Sequence, residues 1–382
     1  MSTASEEYIT DTEWFKYTCG VYEEEFRKEK SLHIQENGNS AFNTPMYSII
    51  NTETTSVISS GSFELISISN LKFQTSKKTL SITPCVFEIL IREDLASRSQ
   101  VDVCYLQADP QYNNAVFQVA SNFNAVEAVN EASPPDLKNF TTEYIYDHTQ
   151  GPSASLGAPA SAIFRVHFPF YDPTTNDRTW GQTKEKQLEM LGDLDHLFHV
   201  ENGYPHLSLP LDITTFDDGK IKVGVQTDAE VAFVWEVRKM RVVPKNKRNL
   251  IDQVFCAGIN VRQGGGALNW PVIEQYPILM CSILKADYEG TYLTAIRNQR
   301  KTIVLTLIGN GVFGNPIQQV CDAIVQTHLK YGVKNNGKVQ RVVLPVFKVG
   351  GDDVVKCLVP MLEAHGIKYV IKRFRGNTLV TE

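Results

Sequence analysis

Hydrophobic and polar positions divide the chain into a β-rich beginning and a longer part in which strands alternate with helices. In the first 95 residues, "SVISSGSFELISISNL" and "TLSITPCVFEILIRE" alternate apolar and polar positions, as half-buried strands do. A short amphipathic segment, "WFKYTCGVYEEEFRKEK", precedes them. We therefore predict a β-rich N-terminal extension over residues 1–95.

The remaining chain, residues 96–382, predicts a second domain of α/β class. We predict strands at "VDVCYLQADP", "AVFQVASNF", 302–308, "VQRVVLPVF" and "IKYVIKRF". Helices are predicted at "SASLGAPASAIFRVHF", 270–298, 316–330 and "DVVKCLVPMLEAHG". Residues 172–250 are less regular and form a predicted insertion, with a helix at "EKQLEMLGDLDHLF" and a strand at "EVAFVWEVRK". Because strands alternate with helices, we expect layers around a largely buried sheet.

Composition excludes several classes of protein. The 382 residues are 42% hydrophobic and carry a net charge of −6, which argues against general nucleic-acid binding. Seven cysteines are thinly spread without metal-ligand spacing, so we expect no metal site and a reducing compartment. The start, "MSTASEEYITDTEWF", lacks the features of a signal peptide, and no apolar stretch is long enough to span a bilayer. We expect a cytoplasmic protein that binds neither nucleic acid nor membrane.

The segment "IVLTLIGNGVFGNP" contains three spaced glycines, Gly309, Gly311 and Gly314, that match G-x-G-x-x-G. A Rossmann fold needs an acidic residue about 20 positions on, and "THLKYGVKNNGK" contains none. A P-loop needs Lys-Ser/Thr after the last glycine, and this is absent too. Asn315 fits a helix N-cap and Pro316 the first helical position, so the loop ends at a helix N-terminus that attracts phosphate. A tight turn without a ligand is the alternative.

A second region completes a familiar order of motifs. The segment "LQADPQYNNAVFQVASNFNAVE" is followed by "YDHTQGPSASLGAPASAIFR", and the glycine loop comes late in the chain. This order resembles the macrodomain superfamily, whose members are three-layer α/β/α modules with a mixed sheet that bind ADP-ribose. The resemblance covers roughly residues 100–350. It implies ADP-ribose as ligand or product and no required cofactor.

The match to the family is uneven along the chain. Gly311-Val312-Phe313-Gly314 fits the late phosphate loop, whereas Gln150-Gly151-Pro152 stands where the family has consecutive glycines. That departure indicates a distant branch, near poly(ADP-ribose)-glycohydrolase-like and effector-type ADP-ribosylhydrolases. The resemblance assigns an adenine contact to Asp109 and a distal ribose contact to Asn124, with Asn122 as the alternative. The ligand-binding residues implied are Asp109, Phe123, Asn124, Gln150, Gly151, Thr291, Gly309, Gly311, Val312, Phe313, Gly314 and Asn315.

Release of ADP-ribose from a side chain breaks a glycosidic bond, and a carboxylate is useful there to activate water, protonate the leaving group or stabilise positive charge. The helical segment "PILMCSILKADYEGTYLTAIRN" carries Asp287 and Glu289, and Glu289 lies on an otherwise apolar stripe. An acid facing the sheet there should have a raised pKa, which suits a general acid or base. The alternative is a surface pair between Lys285 and Glu289. Thr291 either contacts the ligand or bonds back to its own helix, and Glu127 either faces the distal ribose or is solvated.

We therefore predict an ADP-ribosylhydrolase with Glu289 and Asp287 as catalytic residues. By resemblance, the favoured linkage is to arginine and the partner is an ADP-ribosylated protein, with a ubiquitin-like protein among the candidates. The alternative is a module that binds ADP-ribose without cleaving it.

Overall fold

The computed structural model describes residues 6–76, 85–93, 100–172, 174–175, 177–262, 264–334 and 338–380. Its strands are β1 (Tyr8–Thr10), β2 (Ile34–Asn39), β3 (Pro45–Ile50), β4 (Val57–Ser67), β5 (Val86–Arg92), β6 (Val116–Ala120), β7 (Pro169–Tyr171), β8 (Arg178–Trp180), β9 (His199–Glu201), β10 (Tyr204–His206), β11 (Lys222–Glu230), β12 (Phe233–Trp235), β13 (Lys239–Val242), β14 (Leu250–Cys256), β15 (Thr302–Val304), β16 (Arg341–Phe347), β17 (Tyr369–Arg375) and β18 (Thr378–Val380). Its α-helices are α1 (Trp14–Cys19), α2 (Glu23–Phe26), α3 (Lys30–His33), α4 (Ile68–Thr75), α5 (Val103–Ala108), α6 (Gln150–Gly157), α7 (Pro159–Val166), α8 (Trp270–Gln275), α9 (Pro277–Arg297), α10 (Ile317–His328) and α11 (Lys348–Ala364).

One mixed sheet organises the chain. Its order in the described residues is β18-β17-β5-β16-β15-β6-β14-β11-β4-β3-β2. The strands from β17 to β14 in this order run parallel, whereas β11, β4, β3, β2 and β18 join antiparallel to their neighbours. The predicted α/β class with a mixed sheet is confirmed.

Helices cover the sheet in two groups, which gives the layered arrangement. One group consists of α4, α9, α10 and α11, and the other of α5, α6 and α7. Buried side chains occur at consecutive positions of β5, where Ile89, Leu90 and Ile91 are all buried. A strand that is apolar on both faces needs cover on both faces, and β11, for example, contacts α7 of one group and α9 of the other.

Strands from both sides of the predicted boundary at residue 95 share this sheet. β5 pairs with β16 and β17, and β4 pairs with β11, so the first 95 residues extend the sheet at one edge and also enter its parallel part. The first part of one predicted strand segment, "TLSITP", lies outside the described residues. The insertion contributes β11 to the sheet as well.

Several predicted elements differ from those observed. Residues 103–108 form the helix α5 and not a strand, and "EKQLEMLGDLDHLF" contains only a short 3₁₀ turn at Gly192–Leu194. The predicted helix 270–298 is divided into α8 and α9, because Tyr276 precedes Pro277 and leaves the helical region of backbone space. Ala158 divides α6 from α7 in the same way, ahead of a proline.

Candidate ligand-binding and catalytic site

A pocket of about 540 Å³ lies at the carboxyl ends of β16, β15, β6 and β14. Loops that follow parallel strands meet at one edge of a sheet, which is where open α/β folds bind ligands. The row of four strand ends spans about 14 Å, because neighbouring strands lie ~4.8 Å apart. The pocket therefore suits an elongated small molecule.

The glycine loop after β15 forms one wall, from Gly309 to Phe313. Gly309 has a φ of +69°, and a Cβ atom there would lie 2.6 Å from Cγ of Asn315. Asn315 is buried, its N–H donates to the carbonyl oxygen of Gly309 at 2.9 Å, and its Nδ2 donates to that of Ile259 at 2.7 Å. Asn315 therefore fixes the loop from behind. It is not the predicted N-cap, because Pro316 holds that position and α10 begins one residue later than expected.

The same loop presents backbone donors to the pocket. The N–H groups of Gly311, Val312 and Phe313 have no hydrogen-bond partner among the described residues. A Cβ atom on Gly311 would meet nothing within 4 Å, so the backbone is open at that residue. Successive free N–H groups in a tight loop bind anions.

The amino end of α6 is the second wall. Its N-cap residue, Thr149, lines the pocket and makes no side-chain capping bond, so the positive end of the helix is left open. Gln150 joins this end to β6, because its Nε2 donates to the carbonyl of Gln118 and its Oε1 accepts from the N–H of Ala120, both at 2.9 Å. A Cβ atom on Gly151 would lie 1.9 Å from the carbonyl oxygen of Ala120. Only glycine allows this approach, and the structure thereby brings both predicted loops to one pocket.

Three polar atoms at the pocket have no hydrogen-bond partner among the described residues. They are Nδ2 of Asn122, Oε2 of Glu127 and Oγ of Ser153, and all are buried. A buried polar group without a partner costs about 1–3 kcal/mol. A polar ligand that reached all three would remove this cost.

Glu127 has the chemistry of an acid–base group. Its Oε1 accepts from Oγ of Ser155 at 2.8 Å and lies 3.6 Å from Nη2 of Arg165, while its N–H donates to the hydroxyl of Tyr144 at 3.2 Å. Burial raises the pKa of Glu127 to about 7, although the charge of Arg165 and the nearby hydroxyl groups of Ser155 and Tyr144 oppose the shift. Both protonation states are populated near neutral pH, as general acid–base catalysis requires.

Two other acids line the pocket. Asp102 forms an ion pair with Arg92 at 2.8 Å, and Oδ1 of Asp147 accepts from the N–H of Thr149 at 2.9 Å. No lysine or arginine is among the lining residues that the structure describes. An anionic ligand would therefore be held by backbone donors and a helix end.

The acids predicted to be catalytic lie outside the pocket. Glu289 forms ion pairs with Lys72 and Lys330, each at 2.8 Å. Burial alone would raise the pKa of Glu289, but these two lysines lower it, which is opposite to the predicted direction. The alternative surface pair between Lys285 and Glu289 is not observed either, because Nζ of Lys285 lies 3.9 Å from Oδ2 of Asp218.

Asp287 and Thr291 are internal groups of α9. Burial raises the pKa of Asp287 well above its usual range, yet its side chain does not line the pocket. Oγ1 of Thr291 donates to the carbonyl of Asp287 at 2.9 Å and accepts from Nε2 of Gln118 at 3.0 Å. The bond back to its own helix is therefore the observed arrangement.

Asp109 lies at the end of the parallel strands opposite the pocket, where their amino ends meet. It follows α5, accepts from the N–H of Gln111 at 2.9 Å, and its carbonyl accepts from Nδ2 of Asn249, which precedes β14. The segment before it is a helix, so Asp109 is not at a strand's carboxyl end. The acid that the structure brings to the far end of the pocket is Asp102, which precedes α5.

Phe123 and Asn124 do not line the pocket, and both form hydrogen bonds with the insertion. The N–H of Phe123 donates to the carbonyl of Gly203, and Nδ2 of Asn124 donates to Oε1 of Gln187 at 2.8 Å. Asn122, the alternative, lines the pocket and lies near the hydroxyl of Tyr204.

Tyr204 and Ser153 were not predicted as site residues. The ring of Tyr204 lies 5.8 Å from that of Phe313, so the two rings close one end of the pocket. Tyr204 follows Asn202-Gly203, a typical hairpin turn, but the turn gives no sign of what the hairpin contacts.

Two further searches concern the described residues only. No group of three or more His, Cys, Asp or Glu side chains there is placed to hold a metal ion. No helix there combines the length and hydrophobicity that crossing a membrane requires.

Comparisons with known proteins give distant structural similarities. No protein-family model matches the chain, and no curated protein matches it. The poly(ADP-ribose) glycohydrolase from Thermomonospora curvata is similar with 13% identity and a TM-score of 0.47, over 89% of this chain and 97% of that one. Its complex with the inhibitor ADP-HPD gives 12% identity and 0.45, over 88% and 97%. The Deinococcus radiodurans enzyme in complex with ADP-ribose gives 12% and 0.44, over 79% and 94%. At these low identities and TM-scores, the function has to be argued from the residues that line the pocket.

Proposed function

We propose that the pocket binds ADP-ribose and that the chain hydrolyses the glycosidic bond between ADP-ribose and a protein side chain. One observation carries the proposal. A loop of free backbone N–H groups, the uncapped end of α6 and the buried acid Glu127 all line a single pocket. Anion binding and acid–base chemistry are therefore adjacent.

The order of groups along the strand ends matches the parts of this ligand. Near β16 the lining is apolar at Val101, Val103 and Val346, and apart from Asp102, which pairs with Arg92, it suits a base. The glycine loop after β15 and the end of α6 beside β6 supply donors for a diphosphate in the middle. Asn122 and Glu127, which follow β6, supply unpartnered polar atoms for a sugar at the other end.

The reaction that follows from this placement is acid–base hydrolysis. The bond from C1 of the distal ribose to the side-chain atom breaks, a water oxygen bonds to C1, and the departing atom gains a proton. Glu127 is placed to move that proton, since it has a pKa of about 7. The transition state is oxocarbenium-like, and Asp147 adds negative charge at the same pocket.

We further propose an arginine-linked protein as the substrate, with a ubiquitin-like protein among the candidates. Glu127 and Asp147 line the same part of the pocket, and its described lining residues include neither lysine nor arginine, which favours a cationic leaving group such as guanidinium. The cytoplasm is the proposed location.

Calorimetric titration with ADP-ribose, followed by a hydrolysis assay on arginine-, glutamate- and serine-linked ADP-ribosyl proteins, tests the proposal. We expect wild type to bind ADP-ribose more tightly than ADP and to release it from the arginine-linked substrate. Glu127→Gln should retain ADP-ribose affinity and lose turnover by about 10²–10⁴-fold, the usual contribution of a general acid or base. Glu289→Gln, which changes an acid outside the pocket, is the matched control and should turn over at the wild-type rate.

Each contrary result removes a different part of the proposal. Failure of wild type to bind ADP-ribose would remove the ligand assignment. Binding without release from any linkage would indicate a module that recognises ADP-ribosylation without cleaving it. Full activity in Glu127→Gln would remove the catalytic assignment.

A further inference from the structure

A fully buried arginine lies behind the candidate catalytic acid. The guanidinium of Arg165, on α7, stacks 3.6 Å above the ring of Phe255 and is inaccessible to solvent. Its Nε donates to the carbonyl of Ala125 at 2.9 Å, and its Nη2 donates to Oγ of Ser155, also at 2.9 Å. Burying a cation is costly unless it is paired and hydrogen-bonded, so this placement needs a reason.

Arg165 is linked to Glu127 in two ways, through the hydroxyl of Ser155 and through the backbone turn at Ala125. Oγ of Ser155 accepts from Arg165 and donates to Oε1 of Glu127 at 2.8 Å, which places one hydroxyl between the two charged groups. The guanidinium itself is 3.6 Å from the same Oε1. No other carboxylate among the described residues forms an ion pair with Arg165.

The second contact holds the turn that delivers Glu127. Ala125 lies between Asn122 and Glu127 and has a φ of +59°, a left-handed conformation that is unfavourable for alanine. Its N–H donates to the carbonyl of Asn122 at 2.9 Å, and its carbonyl is the acceptor for Arg165. Strained backbone persists only where its surroundings hold it, and Arg165 is one of those surroundings.

We propose that Arg165 is a positioning residue that orients Glu127 through the Ser155 hydroxyl and the Ala125 turn. This inference rests on the proposed function. Neither Arg165 nor Ser155 lines the pocket, so both act on the reaction only through Glu127.

Titratable groups that face Glu127 come from three elements. Arg165 comes from α7, Tyr144 from the 3₁₀ turn before α6, and Asp147 from the residue after that turn. Arg165, Ser155 and Tyr144 lower the pKa of Glu127, whereas Asp147 raises it. Loss of either the Arg165 charge or the Ser155 bond should therefore move this pKa upward.

Ser155→Ala is the primary test, because it removes one hydroxyl and little volume. Ser161→Ala is its control, since Ser161 is also buried and donates a single bond, to the carbonyl of Ser60 at 3.0 Å, away from Glu127. Arg165→Gln removes the charge and keeps a planar polar group. The measurements are the pH profile of kcat/KM, the affinity for ADP-ribose, and the free energy of urea unfolding against pH.

We expect Ser155→Ala and Arg165→Gln to move the Glu127 limb of the pH profile to higher pH and to leave ADP-ribose affinity within about threefold of wild type. A shift of one pH unit from 7 changes the ionised fraction of Glu127 at neutral pH about fivefold. Ser161→Ala should leave the limb in place. An unmoved limb in both test variants, or a uniform loss of rate and affinity at every pH, would overturn the inference.

The unfolding series separates this inference from the proposed function. It reports the pKa of Glu127 without any turnover, because a buried acid changes stability with pH. If wild type proves inactive, the proposed function fails while a shifted stability profile in Ser155→Ala still shows the coupling. If the stability profiles of Ser155→Ala and wild type coincide, the coupling is absent whatever the activity.

Discussion

Replacing Glu127 by glutamine should change how the stability of the protein depends on pH. The carboxyl is buried and its pKa rises from 4.5 to about 7 on folding. This difference corresponds to about 3 kcal/mol, at 1.36 kcal/mol for each pKa unit. Below the unfolded pKa the group is protonated in both states and costs nothing, and above the folded pKa it is ionised in both and the folded state carries the whole cost.

The sign of the effect follows directly. Wild type loses this stability as the pH rises through about 7, whereas Glu127→Gln, which resembles the protonated acid at every pH, does not. At low pH the two proteins should therefore unfold at similar urea concentrations. At high pH the glutamine variant should be more stable than wild type by about 3 kcal/mol.

Urea unfolding followed by tryptophan fluorescence, repeated between about pH 3 and about pH 8.5, measures the difference across both pKa values. Glu289→Gln is the control with the opposite sign, because two lysines lower the pKa of Glu289 in the folded state. Wild type should gain stability over that variant as the pH rises from the folded pKa of Glu289 to its unfolded pKa, and should keep this gain at higher pH. A stability difference between wild type and Glu127→Gln that stays constant with pH would refute the reasoning, since it would mean that Glu127 ionises as it does in water.

Two further variants test the construction of the site. Gly151→Ala should destabilise the fold by about 1–3 kcal/mol or more in urea unfolding, because its Cβ would lie 1.9 Å from the carbonyl oxygen of Ala120. A fully stable variant would show that α6 does not approach β6 so closely. Gly311→Ala is the paired substitution and should leave the free energy of unfolding within about 0.5 kcal/mol of wild type, because nothing lies within 4 Å of its Cβ. A large loss of stability would mean that the loop lies in a packed environment.

Much of the fold follows from periodicity. Strands with continuous apolar runs, such as "VQRVVLPVF", were predicted close to their observed bounds in β16, because burial on both faces leaves little choice of residue. Residues 103–108 were misassigned as a strand, since a six-residue apolar segment fits a short helix equally well. Helix breaks before Pro159 and Pro277 are visible in the sequence once the restriction on the preceding residue is applied.

The sequence predicts site residues where the backbone geometry requires a particular residue type. It does not predict them where the role depends on which side chains become buried. Glycine spacing identified the loop at 309–314 because only glycine adopts a positive φ without strain, as Gly309 and Gly314 do. The resemblance assigns the ribose contact to Asn124 with Asn122 as the alternative, and no local signal in the sequence tells which of the two lines the pocket. The direction of each side chain is set by the insertion, through partners such as Gln187.

The comparison of Glu289 with Glu127 shows most clearly why the hydrophobic pattern of a sequence does not predict the pKa of a buried acid. An acid on an apolar helical stripe predicts a raised pKa only if no cation reaches it, and Lys72 and Lys330 come from segments far away in sequence. Glu127 follows an asparagine-rich turn, from which contact with the ligand and exposure to solvent are equally compatible predictions. In the structure it is buried, and Arg165 compensates only part of the cost of that burial. Hydrophobic pattern reports the average environment of an element, whereas a pKa depends on the few groups within hydrogen-bond distance. A buried acid with an unpartnered oxygen is unfavourable for folding, and it is retained most readily where a ligand supplies the missing partner.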